Sequence, residues 1–339
     1  MKRLRVGIVG LGAFGESHIG AYRALPNVEI AAVASRSPER ARQIADRYGI
    51  PEWHGSHEAL IADDTIDAVS ITTAEHEHRD PAVLALRAGK HVLVEKPIAA
   101  TLEDADAILA AAREASGILM PGHILRFEPK YAGARAAAAS GTLGRIVSIS
   151  ARRNRPRGLI ATHGRVHPAL ITAIHDIDIM LWTAGAHVRQ VHAIDRIASR
   201  DDGAHGLWGL LEFENGVVGT IETSWLLPDA AGIGTDDAFQ VTGLDGTAKI
   251  SLDAPAFRIW SADGGQAPDV SYEPVLHGVV SGALRDELAH FASCALAGTP
   301  SPIISPDDAR AALAVVLALI DAANAGAPVS LDNGAAHAM

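Results

Sequence analysis

The sequence predicts an α/β protein of two domains. The first is a doubly wound parallel sheet, and the second is an α+β domain built on a large, mostly antiparallel, open-faced sheet. Three observations carry this. An apolar run, Val6 to Val9, leads into Gly10-x-Gly12-x-x-Gly15 and then into residues able to form a helix. Strand-like and helix-like segments alternate as far as Gly122. Beyond that point long strand-like segments follow one another with a hairpin signal, Asn215-Gly216, between two of them. At 339 residues the chain is too long for one typical core.

In a strand–turn–helix context the glycine spacing reads as a Rossmann dinucleotide site formed by Gly10, Gly12, Ala13, Phe14 and Gly15. Gly10 permits the sharp turn, Gly12 lets a pyrophosphate approach the backbone, and Gly15 lets the helix pack close to the strand. The helix N-terminus offers N–H groups and a partial positive charge to the phosphates. A helix over 16–25 stops at Pro26, and a second strand covers Val28 to Ala34. Ser35 and Arg36 then stand where the adenosine ribose is read. An acid that would receive a 2′-hydroxyl is absent from 34–37. Ser35 can hydrogen-bond a 2′-phosphate, and Arg36 can pair with it or stack on adenine. The expected cofactor is therefore NADP(H), with NAD(H) possible; the alternative leaves Arg36 as a solvated loop residue.

Ser37 and Pro38 start a helix that runs to Tyr48 and closes at Gly49. A short helix over 56–61 and a strand over Asp67 to Thr72 follow, and the strand delivers Thr73 to the carboxyl edge of the sheet, where ligands bind. A helix from Asp80-Pro81 to Gly89 leads to an apolar strand in His91-Val-Leu-Val that runs into Glu95-Lys96-Pro97. Pro97 disfavours helix at Lys96. Glu95 and Lys96 are thereby placed at the same edge, with Lys96 aimed at bound cofactor and substrate; the alternative is a surface lysine before a turn. A helix capped by Thr101 runs to Ser116, and a strand over 118–122 ends the domain 1–122.

The second domain, 123–332, carries strands at 147–152, 188–197, 205–214, 217–226, 238–242, 248–252, 257–260 and 270–272, and helices at 284–297 and from Pro306 to near Asn324. Residues 126–170 and 227–237 hold the loops that shape its pocket, and 333–339 is a loose tail. On the strand after Asn215-Gly216, Val217, Gly219, Ile221, Thr223 and Trp225 point to one face and the alternate residues to the other. Neither face is strongly polar, so helices are expected on one and a second subunit on the other. Pro168 to Ala184 is an apolar helix on which His175, Asp178 and Trp182 share a face and Asp176 points elsewhere. A neutral imidazole oriented by a carboxylate can accept a proton near pH 7; a satisfied structural pair is the alternative.

A net charge of −11 without long single-sign runs argues against nucleic acid and anionic membrane as partners. The lone Cys294 excludes an internal disulfide and a cysteine-rich metal site. Lys2 and Arg3 precede an apolar run too short for a signal sequence, and no apolar stretch reaches membrane-spanning length, so a cytoplasmic protein is expected.

Taken together, Gly10-x-Gly12-x-x-Gly15, Ala88-Gly89-Lys90-His91-Val92 through Glu95-Lys96-Pro97, Arg126-Phe127-x-Pro129 and His175-Asp176-Ile177-Asp178 resemble the glucose–fructose oxidoreductase / inositol dehydrogenase (Gfo/Idh/MocA) family. The resemblance covers nearly the whole chain. It implies NAD(P)-dependent oxidation or reduction of a sugar, cyclitol or related polyol, and a homodimer or homotetramer formed through the open sheet. It makes Lys96 the residue that contacts nicotinamide and the reacting hydroxyl, and His175 the acid/base. It places Arg126 and Asp178 at the substrate, and His78, in the stretch Thr73-Ala-Glu-His-Glu-His78, at the cofactor. Many family members carry an aspartate four residues before the histidine; Ile171 stands there and cannot assist proton transfer. The Arg152 to Arg157 cluster corresponds to a region bordering the substrate, where it is either an anion site or a solvated or subunit contact. His76 and His78 alone do not make a metal site. The same resemblance leaves open a lyase or glycosidase using transient oxidation, biliverdin- or dihydrodiol-type reduction, and a non-catalytic cofactor-binding subunit.

Overall fold

The computed structural model describes residues 3–199, 204–229, 234–251, 257, 259–261, 264–266 and 268–331. The chain divides into two compact units, one made of residues 1–128 and 269–310 and the other of 129–268 and 311–339.

The first unit holds β1 (Leu4–Val9), α1 (Ala13–Arg23), β2 (Val28–Ala34), α2 (Pro38–Tyr48), β3 (Glu52–His54), α3 (His57–Ile61), β4 (Ala68–Ile71), α4 (Arg79–Arg87), β5 (His91–Glu95), α5 (Leu102–Glu114) and β6 (Leu119–Gly122). Its six strands are parallel, in the order β3-β2-β1-β4-β5-β6. This is the doubly wound order, with β1 and β4 beside each other where the order reverses. The central strands are apolar on both faces because helices cover both; Val6, Ile8, Val69, Ile71, Val92, Leu93 and Val94 have no exposed surface. The local signals act as expected at α2, where the Ser37 hydroxyl accepts the Arg40 N–H and Gly49 closes the helix at φ 66°. The Thr101 hydroxyl likewise accepts the Asp104 N–H at α5. The Lys90 ammonium is buried and donates to the carbonyls of Asp63 (2.8 Å) and Ile66 (2.9 Å), so this part of the motif secures the turn before β4.

The second unit holds α6 (Pro129–Ala139), β7 (Ile146–Pro156), a single turn α7 (Ile160–His163), α8 (Ile174–Ala184), β8 (Val188–Ser199), β9 (Ala204–Phe213), β10 (Val218–Leu227), β11 (Asp236–Gly243), β12 (Thr247–Ser251) and the pair β13 (Ile259–Ser261) and β14 (Gly264–Gln266). The large sheet runs β12-β11-β7-β10-β9-β8-β17, the last being Val329–Ser330. Every pairing is antiparallel except β7 with β10. One face lies under helices: a side chain at Gly219 would meet Met180 of α8, and Tyr131 of α6 stacks edge-on against Phe239 at 5.6 Å. The other face is open and carries partly exposed Ile194, Trp208, Leu210 and Val218.

Four expectations are corrected. Residues 129–139, expected within a loop, form α6, because Pro129 opens a run of strong helix formers dominated by alanine. Residues 270–272 are not a strand, because the Asp269 carboxylate accepts the N–H groups of Ser271 (2.9 Å), Tyr272 (2.9 Å) and Glu273 (2.6 Å) and turns the chain. The helix expected from Pro168 begins with a π-helical turn, Ala169–Ala173, before α8. The 257–260 strand shifts to β13, and part of its expected range, with the end of the 248–252 strand and the 333–339 tail, lies outside the described residues. The first unit also contains β15 (Val275–Leu276), β16 (Val279–Val280), α9 (Ala283–Ala297) and the start of α10 (Pro306–Ala325), which the sequence reading groups with the second half. Among the described residues no helix is long and apolar enough to cross a membrane.

Candidate active site

The glycine turn is built by close contacts that exclude side chains. Gly10 has φ 97°, and a Cβ there would lie 2.6 Å from the Thr73 nitrogen. A Cβ at Gly15 would lie 2.1 Å from the Gly10 carbonyl oxygen, so α1 packs directly on the turn. The Thr72 hydroxyl donates to that same carbonyl at 2.6 Å. Gly12 differs: among the described residues, no atom beyond its own chain neighbours lies within 4 Å of the position its Cβ would take. The turn is thus closed underneath and open above, with exposed Gly12 and Ala13 at the head of α1, which fits a dinucleotide's pyrophosphate. Arg40 of α2 holds the turn by donating to the Leu11 carbonyl (3.2 Å) while pairing with Glu16. Glu16 also receives Arg47 (2.8 Å) and the Tyr48 hydroxyl (2.9 Å). Burial opposes its charge, but Tyr48, Arg40 and Arg47 outweigh that and hold its carboxyl below the usual range.

At the end of β2 the Ser35 hydroxyl accepts the Ser37 N–H at 3.2 Å. Arg36 projects from the surface and forms an ion pair with Glu77, which lies in a 3-10 turn, Glu75–Glu77, after β4.

The ends of β4 and β5 are joined by His78. Its buried ring places Nδ1 2.9 Å from the Pro97 carbonyl and Nε2 3.1 Å from the Thr73 carbonyl. His78 therefore secures the segment on each side of the expected cofactor contacts Thr73 and Lys96. Burial lowers the imidazole pKa below 6.5, although both carbonyls oppose this. The unfolded chain takes up this proton at about pH 6.5, and the folded chain only at lower pH. The stability contributed by neutral His78 is complete above that value and is lost as pH falls through the folded pKa. Thermal unfolding from pH 8 to pH 5 should show a smaller acid-side loss in His78→Asn than in the parent; equal losses would exclude His78 as a source.

Glu95 is nearly buried, and its two oxygens are committed. Oε1 lies 3.2 Å from His18 Nε2, whose Nδ1 lies 2.9 Å from the Ser70 hydroxyl, and Oε2 accepts the Lys96 N–H at 3.2 Å. The chain Ser70–His18–Glu95 thus ends on the backbone of Lys96, which is half-buried and joined to Pro97 by a cis peptide bond. Arg126, expected at the substrate, is buried and donates to the Ile303 carbonyl (2.6 Å) and to Asp308 (3.2 Å).

In the second unit Ile171, His175 and Trp182 are half-buried while Asp176 and Asp178 are buried. Asp176 turns toward the sheet and receives both Nε (2.6 Å) and Nη2 (3.0 Å) of Arg153 on β7. Arg153, 2% exposed, also donates to Asp237 (2.9 Å) and to the Tyr131 hydroxyl oxygen (2.9 Å). Arg155 pairs with the same Asp237, and Arg152 with Asp236 (2.6 Å). Burial pushes the Asp176 carboxyl up against the pull of Arg153. At Asp237 burial is outweighed by Arg153 and Arg155, which hold its carboxyl down. Three members of the Arg152 to Arg157 cluster, Arg152, Arg153 and Arg155, are therefore paired with aspartates of the same unit. One turn before Asp176, Thr172 accepts the Trp225 indole N–H at 2.9 Å. These two anchors fix the rotation of the segment that carries His175.

The sequence reading did not single out His18, Glu16, Arg40, Glu77 or the Arg153–Asp176 pair. For His18 a signal was present, since it follows Gly15 by three residues on the apolar side of α1 with Tyr22 one turn on. The others are defined by partners distant in sequence.

Residues 4–123 match a family described as an oxidoreductase family with an NAD-binding Rossmann fold (GFO/IDH/MocA), and residues 131–249 match the GFO/IDH/MocA C-terminal domain. A scyllo-inositol 2-dehydrogenase (NAD(+)) of Bacillus subtilis is 30% identical over 344 residues, covering 97% of this chain and 97% of that protein. The D-xylose 1-dehydrogenase (NADP(+)) 2 of Haloferax volcanii is 29% identical over 342 residues, covering 95% and 99%. The crystal structure of myo-inositol 2-dehydrogenase from Lactobacillus plantarum has the same fold, with a TM-score of 0.84 over 98% of this chain and 100% of that one at 21% identity.

Proposed function

The chain belongs to the GFO/IDH/MocA family of oxidoreductases, and on that premise we propose that it is an NAD(P)-dependent dehydrogenase of a sugar, cyclitol or related polyol that prefers NADP(H). The observation that carries the reading is the glycine turn, closed beneath by Gly10 and Gly15 and open over Gly12. Relatives named for inositol and xylose support the substrate class, and their names include both NAD(+) and NADP(+) enzymes. Gly10 to Gly15 holds the pyrophosphate, Thr73 and Glu95-Lys96 border the nicotinamide end, and Ser35 and Arg36 take the 2′-phosphate. Bound there, the nicotinamide supplies hydride transfer at its C4. Lys96 holds the reacting oxygen and stabilises charge on it, and His175 exchanges the hydroxyl proton. Asp178 supports the substrate beside His175, and His78 and Arg126 secure the loops after β4 and β6. The open sheet face, with Trp208 and Leu210 partly exposed, pairs with a second copy in a dimer or tetramer, and the protein works in the cytoplasm.

Nicotinamide fluorescence titration tests the cofactor. Arg36→Asp is expected to weaken NADPH binding by about 10- to 100-fold, the value of one or two charge-assisted hydrogen bonds, and to change NADH binding by less than about threefold. Equal losses with both cofactors would remove the 2′-phosphate from the reading, and binding of neither by the parent protein would remove the dehydrogenase itself.

A further inference from the structure

We propose that Glu77 is a specificity-determining residue at the adenosine end of the cofactor site, limiting the preference for a 2′-phosphate that Arg36 creates; this rests on the cofactor reading above. In the sheet, β2 and β4 flank β1 on its two sides. The segments that follow them therefore flank the glycine turn after β1. The Arg36–Glu77 ion pair joins those segments, from just past β2 to the 3-10 turn past β4. The Arg36 side chain is 85% exposed and that of Glu77 is 25% exposed, so an anion that approaches the guanidinium from solvent meets it with the carboxylate already at its side. His76 Nε2 lies 3.8 Å from the same Glu77 oxygen, and His76 Nδ1 lies 3.6 Å from Glu75.

The chemistry of the two cofactors differs at one group. A 2′-phosphate brings about two negative charges and must compete with Glu77 for Arg36 while being repelled by it. A 2′-hydroxyl is neutral and can donate a hydrogen bond to a carboxylate. The same carboxylate therefore weakens NADPH and is neutral or favourable toward NADH. Side chains this exposed interact across water, so the effect is modest and falls with salt.

The test is the ratio of NADPH to NADH dissociation constants, measured by nicotinamide fluorescence in dilute buffer and again with about 0.5 M NaCl. Glu77→Gln keeps the size and one acceptor oxygen and removes the charge. It is expected to tighten NADPH binding about fivefold with NADH unchanged or slightly weakened, and the gain should shrink in salt. Glu77→Asp, which keeps the charge, should stay near the parent ratio. A ratio unmoved by Glu77→Gln, while Arg36→Gln abolishes NADPH preference, would overturn the role of Glu77 and leave the cofactor reading standing. A ratio unmoved by Arg36→Gln would overturn the 2′-phosphate reading itself. Equal tightening of both cofactors would mark Glu77 as a general electrostatic or structural group and overturn the proposal.

Discussion

Lys96→Ala is expected to lower turnover by about three orders of magnitude, the loss typical of one preorganised donor to a reacting oxygen, while the protein stays folded. The substitution removes only atoms beyond Cβ. The backbone position of residue 96 is held independently, by the Glu95 carboxylate on its N–H and by the His78 ring on the Pro97 carbonyl. Melting should therefore shift by no more than about 2 °C. An interaction made mainly in the transition state lowers kcat and kcat/KM together. A rise in KM with kcat preserved would make Lys96 a binding group only, and full activity would remove it from the mechanism. NADPH or NADH titration of the same variant separates loss of chemistry from loss of cofactor.

Arg153→Leu is expected to destabilise the second unit by about 3–5 kcal/mol, the cost of breaking a buried ion pair from one side. The parent cluster is balanced: Arg153 and Arg155 face Asp176 and Asp237, and Arg153 alone serves both aspartates. Without it Asp237 retains Arg155, but the Asp176 carboxylate loses its bidentate partner inside the protein. The double variant Arg153→Leu/Asp176→Leu should accordingly be more stable than Arg153→Leu, because the orphaned charge is gone. Denaturant unfolding followed by tryptophan fluorescence reads mainly this unit, which contains Trp182, Trp208, Trp225 and Trp260, four of the chain's five tryptophans. A single variant within about 1 kcal/mol of the parent would show that the cluster is solvated. Both variants should also lose activity under the proposed mechanism, since Asp176 adjoins His175 and fixes which side of the helix faces the sheet.

Legibility in the sequence followed the range of the interactions. The limits of β2 and α2 match the reading residue for residue, because caps, a closing glycine and continuous apolar runs are written within a few positions. The glycine turn was legible in part: the positive φ of Gly10 and the contact of Gly15 with the Gly10 carbonyl are set inside one strand–turn–helix unit, whereas the close approach of Thr72 and Thr73 to Gly10 comes from the segment after β4. The three-residue edge strand β3 left no apolar period to read. The turn at Asp269 was missed because its side chain captured N–H groups, those of Ser271 and Tyr272 among them, that a strand would have given to a sheet.

The sequence by itself determined a parallel nucleotide-binding sheet, a following antiparallel sheet and a lysine, Lys96, at a strand's carboxyl end. Backbone geometry and apolar periodicity are local, so one chain segment suffices to specify them. The tertiary structure alone decided which charges are neutralised and which remain for a ligand. Arg153 meets Asp237 because β7 and β11 align those residues directly across the sheet, and it meets Asp176 because α8 packs on that face. Arg36 meets Glu77 because their strands flank β1 on opposite sides. A charge's role depends on its partner and on its distance from water, and sheet register and helix packing set both.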